Sequence, residues 1–370
     1  MGTLQFCMTD NAEKIVIKDF EKLCDAFIKA SKNIIKSIYV TGSFGCGEGG
    51  YLVNHECFPV SDYDFLIICD YVDEKIFDDI RYSAKGVLPY NYDFFAVDIT
   101  FATIGSVPNY DLSGYELSKK CKLIWGKDTI GGLAKIDKCA LNINTAIFFA
   151  NNRIKNLLYC LAFPNIYTIR STVETMYVCH RINNLITALM KALLIKDGRY
   201  MCTLRECFSV FKSIYYDKTN WVEAAQEATL SCLYPKPFKF PSVNLWLKYA
   251  DVFKEMYIYL LNDKGKFLNP KDDETVIISI ENAQDLFCPQ QHKRMVEKIA
   301  AFLLLSFNGC TIKPLFLLKA SKLLGISHSY KFFNVQHWEK IRKELIFFRN
   351  RSSDIIPISG IVWGSDGFVR

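Results

Sequence analysis

The chain of 370 residues carries 14 cysteines but has no Cys-x-x-Cys pair and no Cys/His set at zinc spacing. That removes a structural zinc module from consideration. Most of the cysteines lie in apolar segments, as buried free thiols do, and they point to a reducing, cytoplasmic setting. The N-terminus has no charged stretch leading into an apolar core and a small-residue cleavage site, so no secretory leader is expected. The longest apolar stretch of the C-terminal third, Ile299 to Phe307, is far short of a bilayer span, and no membrane partner is expected. No dense stripe of Lys and Arg interleaved with aromatics occurs, and no internal repeat or low-complexity tract. With 45 basic against 39 acidic residues the formal charge is +6, which permits an anionic substrate without demanding a nucleic-acid surface.

What is present is a large apolar content. Half of the residues are hydrophobic, enough for a sizeable core and for two domains, or three small ones. Lys14 to Ser31 places Ile17, Phe20, Leu23, Cys24, Phe27 and Ile28 at helical spacing, and Asp73 to Ser83 reads as another helix. Between and after them come short β-type runs. From Ala140 onward the pattern changes to long segments of 3.6-residue period, such as Ile147 to Leu161 and Ser171 to Ile195. The Pro-bearing stretch 235–241 separates these from a helix at Val243 to Leu261. Lys264 to Glu274 is polar with Gly and Pro, hence a linker. Beyond it, Ala283–Phe307 and Ile312–Leu324 read as further helices of a bundle.

The stretch from Thr41 to Phe65 carries the chemistry. Ser37-Ile38-Tyr39-Val40-Thr41 reads as a strand that ends on Gly42-Ser43, and Phe65 to Cys69 is a second apolar, β-rich run opened by Asp62-Tyr63-Asp64. Carboxylates at i and i+2 of an extended segment share one face of a sheet, so Asp62 and Asp64 can hold cations together. A glycine turn lets backbone amides approach a phosphate closely. Asp-x-Asp by itself is weak, since about one such pair arises by chance in a chain of this length. The surrounding strand, Gly-Ser turn, Gly-rich connection and second strand are what raise it above a solvated strand end.

A third carboxylate strengthens the pattern. Tyr92 to Phe101 is apolar, aromatic and β-branched, yet it contains Asp98. An ionised carboxylate in such a strand costs several kcal/mol unless it is paired, bound to a metal or solvated at an edge. Asp93, nearer the start, fits the solvated position better. If Asp98 lies beside Asp62 and Asp64, three carboxylates converge, a donor set that suits two Mg²⁺ or Mn²⁺ ions and suits zinc poorly.

The segment VTGSFGCGEGGYLVNHECFPVSDYDFLIIC resembles the core motif of the nucleotidyltransferase (DNA polymerase β-like) superfamily: a Gly-Ser turn, then Asp-x-Asp, then a third Asp on a later strand. GSFGCGEG with SDYDF is similar to stand-alone bacterial and archaeal nucleotidyltransferase domains. Lys122 to Asp128 resembles the element that closes the catalytic domain in many members, and Ala188 to Glu206 resembles a helix and turn that follow it in several. Two departures accompany the likeness. Cys46 stands where many relatives carry arginine, and the connection from Ser43 to Asp62 is longer than usual, which reads as an inserted loop from Glu48 to Pro59.

The resemblance implies an α+β fold: a mixed sheet with flanking helices over residues 1–135, a helical domain over 136–262, and a C-terminal helical region over 275–370. It implies that Asp62 and Asp64 bind both metals, and that Asp98 binds the one that activates the acceptor hydroxyl and stands to take its proton. Gly42 and Ser43 would hold a nucleoside triphosphate such as ATP through backbone amides and a hydroxyl. Lys191, Lys196 and Arg199 are candidate triphosphate contacts, with Lys191 the better one and Lys196 reading rather as a solvated helix face. Glu48 reads as a solvated surface residue ahead of a base partner or insertion-loop contact, His180 as a core histidine, Tyr200 as a packing aromatic, and His55 as a residue of the inserted loop rather than of the site. The expected reaction moves a nucleotidyl group to an acceptor hydroxyl, favoured as that of a small molecule or glycan precursor, and releases pyrophosphate. A toxin-like enzyme modifying tRNA or protein, a second-messenger synthase, and a non-catalytic nucleotide- or partner-binding protein are the other readings.

Overall fold

The computed structural model describes residues 5–52, 58–90, 97–107, 112–131, 141–161, 167, 172–262, 272–287, 291–307, 311–326 and 334–353. It is an α+β protein with a small mixed sheet in its N-terminal third and helices through the rest.

The N-terminal part contains helix α1 (Asp10–Ala30), strand β1 (Ile35–Val40), a single turn α2 (Gly42–Gly45), a small hairpin of β2 (Tyr51–Leu52) and β3 (Phe58–Pro59), strand β4 (Tyr63–Cys69), helix α3 (Glu74–Ser83), strand β5 (Val97–Ala102), helix α4 (Leu112–Lys120) and strand β6 (Lys122–Gly126). The main sheet has the order β5-β4-β1-β6, with β4 and β5 parallel and the other pairs antiparallel. The connection from Ser43 to Asp62 carries β2 and β3; His55 lies outside the described residues, as does Asp93.

Side chains alternate across the sheet, and the alternation decides where the carboxylates go. Ile38 and Val40, with Tyr63, Phe65 and Ile67, join Phe20, Leu23 and Phe27 of α1 and Phe77 of α3 in one apolar layer. Tyr39, Leu66 and Ile68 belong to the opposite layer with Ala102, Val107 and Ile130. Asp62 and Asp64 share the parity of Leu66 and Ile68. They therefore face away from α1.

Helices α5 (Ile143–Cys160), α6 (Thr172–Lys196), α7 (Leu204–Ile214), α8 (Thr219–Leu233), α9 (Ser242–Leu261), α10 (Asp273–Phe287), α11 (Gln291–Ser306), α12 (Pro314–Leu323) and α13 (Val335–Ser353) follow. Asn142 caps α5 and Thr203 caps α7 in a reciprocal box with Glu206, both by accepting from backbone amides of the first turn. The apolar run expected as one helix over Ala283–Phe307 spans α10 and α11, with 288–290 outside the described residues. The linker expected from Lys264 largely lies outside them as well, and α10 begins at Asp273.

One apolar core runs from Leu112 to Leu345, so the last helices share it with α5 and α6. Polar contacts dock them. Trp246 Nε1 donates to the Phe307 carbonyl at 2.9 Å, Trp338 Nε1 donates to the Leu303 carbonyl at 2.8 Å, and Arg342 donates to the Leu158 carbonyl at 2.9 Å. Val173–Lys196 is long and apolar enough to cross a membrane, but 78% of its most apolar window is buried inside the protein. The described cysteines are all free.

Candidate active site

Thr41 ends β1, and its N–H donates to the Asp64 carbonyl at 2.8 Å, which carries the strand pairing to the last residue before the glycine turn. Gly42 then adopts a left-handed backbone (φ 60°), and a Cβ built on it would overlap Asp64 Oδ2. Glycine is required here on both counts. The Gly-Ser turn of the sequence is thus one turn of helix, pressed against the second carboxylate of Asp-x-Asp.

The parallel register of β4 and β5 pairs Asp64 directly with Asp98, and places Tyr63 beside Val97. Adjacent parallel strands lie about 4.8 Å apart, so the two carboxylates come from neighbouring points on one face. Asp62, two residues earlier, comes from the same side. Burial raises the Asp64 carboxyl well above the usual carboxylate range, and the negative charges of Asp98 and Asp62 raise it further against the opposing pull of Arg153 and Arg181. The predicted trio therefore converges electrostatically.

The helical part supplies the opposite charge. Arg181 of α6 donates from Nη2 to Asp62 Oδ2 at 3.1 Å, with its guanidinium 4.8 Å from the Tyr177 ring centroid. Burial disfavours its charge, but Asp62, Tyr177 and Cys160 together more than offset this and raise its pKa. Arg153 of α5 lies within electrostatic reach of the same carboxylates; burial and the neighbouring Arg181 lower its pKa, while Asp64 and Asp62 work the other way. Neither arginine figured in the sequence reading. The signal was available: each is a charge inside an apolar helical repeat, the same anomaly that singled out Asp98.

A second polar cluster adjoins the first. Lys120 donates to Glu116 at 2.6 Å and to the Tyr200 hydroxyl at 3.1 Å, and Tyr200 in turn donates to Glu116. Burial alone would raise the Glu116 carboxyl, but the charges of Lys120 and Lys191 pull it down to about 2. Lys191 is half-buried, and its charge acts on Glu116 and on Cys46, the residue that follows the single turn α2. Tyr200 is a buried packing residue whose hydroxyl completes this network.

Other expectations change. Glu48 is 5% exposed and is no surface residue: it accepts from the Leu204 and Arg205 backbone amides at 2.5 and 3.2 Å, capping α7 from across the chain, and pairs with the Arg205 side chain at 3.3 Å. Lys196 is neither a solvated face nor turned to the carboxylates. Its ammonium donates to the carbonyls of Tyr259, Leu260 and Asn262, where α9 ends. Arg199 is exposed beyond the end of α6. His180 is buried, and its imidazole is lowered to about 3 by burial and by Arg181 and Arg153, as suits a neutral core histidine. Asp128 accepts from the Tyr39 hydroxyl and the Gly131 amide, both at 2.9 Å, and so ties the end of the sheet.

The donors of the carboxylate trio are hard oxygens, and the mutual repulsion at Asp64 is what a cation would relieve. In the arrangement as it stands Asp62 is engaged by Arg181, and among the described residues no three His, Cys, Asp or Glu side chains are gathered closely enough to hold an ion. By charge and donor type the residues fit a divalent cation, on the condition that Asp62 leaves Arg181. No protein-family model matches the chain, and no curated protein matches it.

Proposed function

We propose that the chain is a metal-dependent nucleotidyltransferase with the fold of the DNA polymerase β-like superfamily. The observation that carries this reading is the register of Asp64 on Asp98, with Gly42 packed against Asp64 at the end of the preceding strand. Bound divalent cations, Mg²⁺ or Mn²⁺, would polarise the α-phosphate and stabilise the charge of the leaving pyrophosphate. Asp62, Asp64 and Asp98 would hold them.

The chain's own groups do the rest. Asp98 takes the proton of the acceptor hydroxyl. The amides of Gly42 and Ser43, with the Ser43 hydroxyl, orient the triphosphate, and Lys191 offsets its charge from the helical side. The acceptor is the hydroxyl of a small molecule or glycan precursor, in keeping with the mild charge excess.

The test incubates the protein with each labelled nucleoside triphosphate, Mg²⁺ or Mn²⁺, and small-molecule, RNA or protein acceptors. Label transfer to a small acceptor with pyrophosphate release, lost in Asp64→Ala and Asp98→Ala, is the expected result. Transfer to RNA or protein would replace the acceptor class. Turnover untouched by both substitutions would overturn the catalytic reading.

A further inference from the structure

The Asp62–Arg181 pair sits where the proposed chemistry needs both partners for something else. Both side chains are largely enclosed, at 21% and 13% exposure, so neither can give up the other and remain unpaired without a large desolvation penalty. Arg181 has capacity left: its Nε is buried and has no hydrogen-bond partner. Arg153 has no ion-pair or hydrogen-bond partner among the described residues, and its guanidinium rests 5.7 Å from the Phe149 ring centroid. Two guanidiniums from successive helices thus lie within electrostatic reach of Asp62 and Asp64. They carry more hydrogen-bonding capacity than Asp62 uses.

Resting on the nucleotidyltransferase reading, we infer that the Asp62–Arg181 ion pair is an autoinhibitory latch, opened when a divalent cation and a triphosphate arrive together. Arg181 exchanges Asp62 for phosphoryl oxygens, and Asp62 exchanges Arg181 for the cation. Each buried charge trades one partner for another, so neither passes through an unpaired state of high cost. A planar guanidinium suits this exchange, because its fork matches a phosphate's oxygens as well as a carboxylate's. Arg153, within electrostatic reach of Asp64 and Asp62, is the second phosphoryl contact. With the latch shut, Asp62 is withheld from a cation that comes alone. Cation and triphosphate are then coupled through the protein, beyond the complex they form in solution.

The experiment reads binding. Mn²⁺ affinity without nucleotide is measured by the paramagnetic resonance of the free ion, and affinity for a non-hydrolysable nucleoside triphosphate by calorimetry. Arg181→Gln should weaken triphosphate binding about tenfold or more and strengthen Mn²⁺ binding in the absence of nucleotide several-fold. Arg153→Gln should weaken triphosphate binding as well. The gain in Mn²⁺ affinity should vanish when Arg181→Gln is made in an Asp62→Asn background, because no latch remains to open. A gain that persists undiminished there would be general electrostatics and would overturn the latch, as would no gain at all. If Arg181→Gln does not fold, Arg181→Met, which keeps the length and apolar stem, is judged by the same signs. The underlying reading fails differently: Mn²⁺ binding would then be absent even in Arg181→Gln and in the presence of the triphosphate, or unchanged there by Asp64→Asn and Asp98→Asn.

Discussion

Gly42 and Asp64 occupy each other's space: the carboxylate Oδ2 lies where a Cβ on residue 42 would be, and the backbone of Gly42 is left-handed. Gly42→Ala is therefore expected to destabilise the fold by about 2 kcal/mol or more, through backbone strain and displacement of Asp64. Urea denaturation measures this. A change within about 0.5 kcal/mol would mean that the turn relaxes freely.

Asp64 is a buried carboxylate opposed by two like charges. Asp64→Asn removes that repulsion and should raise the stability of the metal-free protein by about 1 kcal/mol while lowering turnover about a thousandfold or more. Because the folded value is raised, the contribution of Asp64 to stability is present below its unfolded value of about 3.9 and is lost as pH rises through the folded value. Asp64→Asn should flatten this part of the pH dependence. Denaturation curves across the acid-to-neutral range check the sign.

His180 works in the opposite direction. Its folded value is lowered to about 3, so its contribution is complete above the unfolded value of about 6.5 and is lost as pH falls. Stability should drop by about 2 kcal/mol between pH 7.5 and pH 5 through this group alone. His180→Gln should remove that slope.

Lys191 and Lys196 lie five residues apart on one helix and should separate cleanly. Lys196→Met removes the ammonium from three carbonyls at the end of α9 and should cost about 1–2 kcal/mol of stability with triphosphate affinity unchanged. Lys191→Met should weaken triphosphate binding about tenfold. Equal effects on affinity would remove Lys191 from the site.

Glu48 joins the glycine turn to α7. Glu48→Ala leaves the Leu204 and Arg205 amides without their carboxylate and should cost about 2 kcal/mol, more than an ordinary N-cap because the site is buried. Thermal denaturation of the variant tests this. Glu48→Gln, which keeps an acceptor, should recover part of the loss.

The local features were legible because their causes are local. The short apolar run of 65–69 and the 3.6-residue period of 171–195 follow from which residues are apolar, and the parity of Asp62 and Asp64 follows from strand geometry alone. Asp98 stood out because a charge among Phe, Val and Ile demands a partner. The same test applied to Arg153 and Arg181 would have marked them, but a cation in a helix reads first as a solvated face. Glu48 was misread for a related reason. Its partners are amides 156 and 157 residues away, and nothing near it in the chain announces them.

From its sequence alone, this protein is a chain with a β-rich start, a helical remainder, and three aspartates with a Gly-Ser turn spaced so that one face of a sheet could gather them. Those properties depend on periodicity and on the cost of burying charge, which act over a few residues. Only the tertiary structure decided that β5 lies parallel to β4 with Asp98 against Asp64, that Gly42 packs on that carboxylate, and that α5 and α6 bring Arg153 and Arg181 within its electrostatic reach. Register and helix docking are set by the whole buried surface together, and no single stretch of the chain contains that sum.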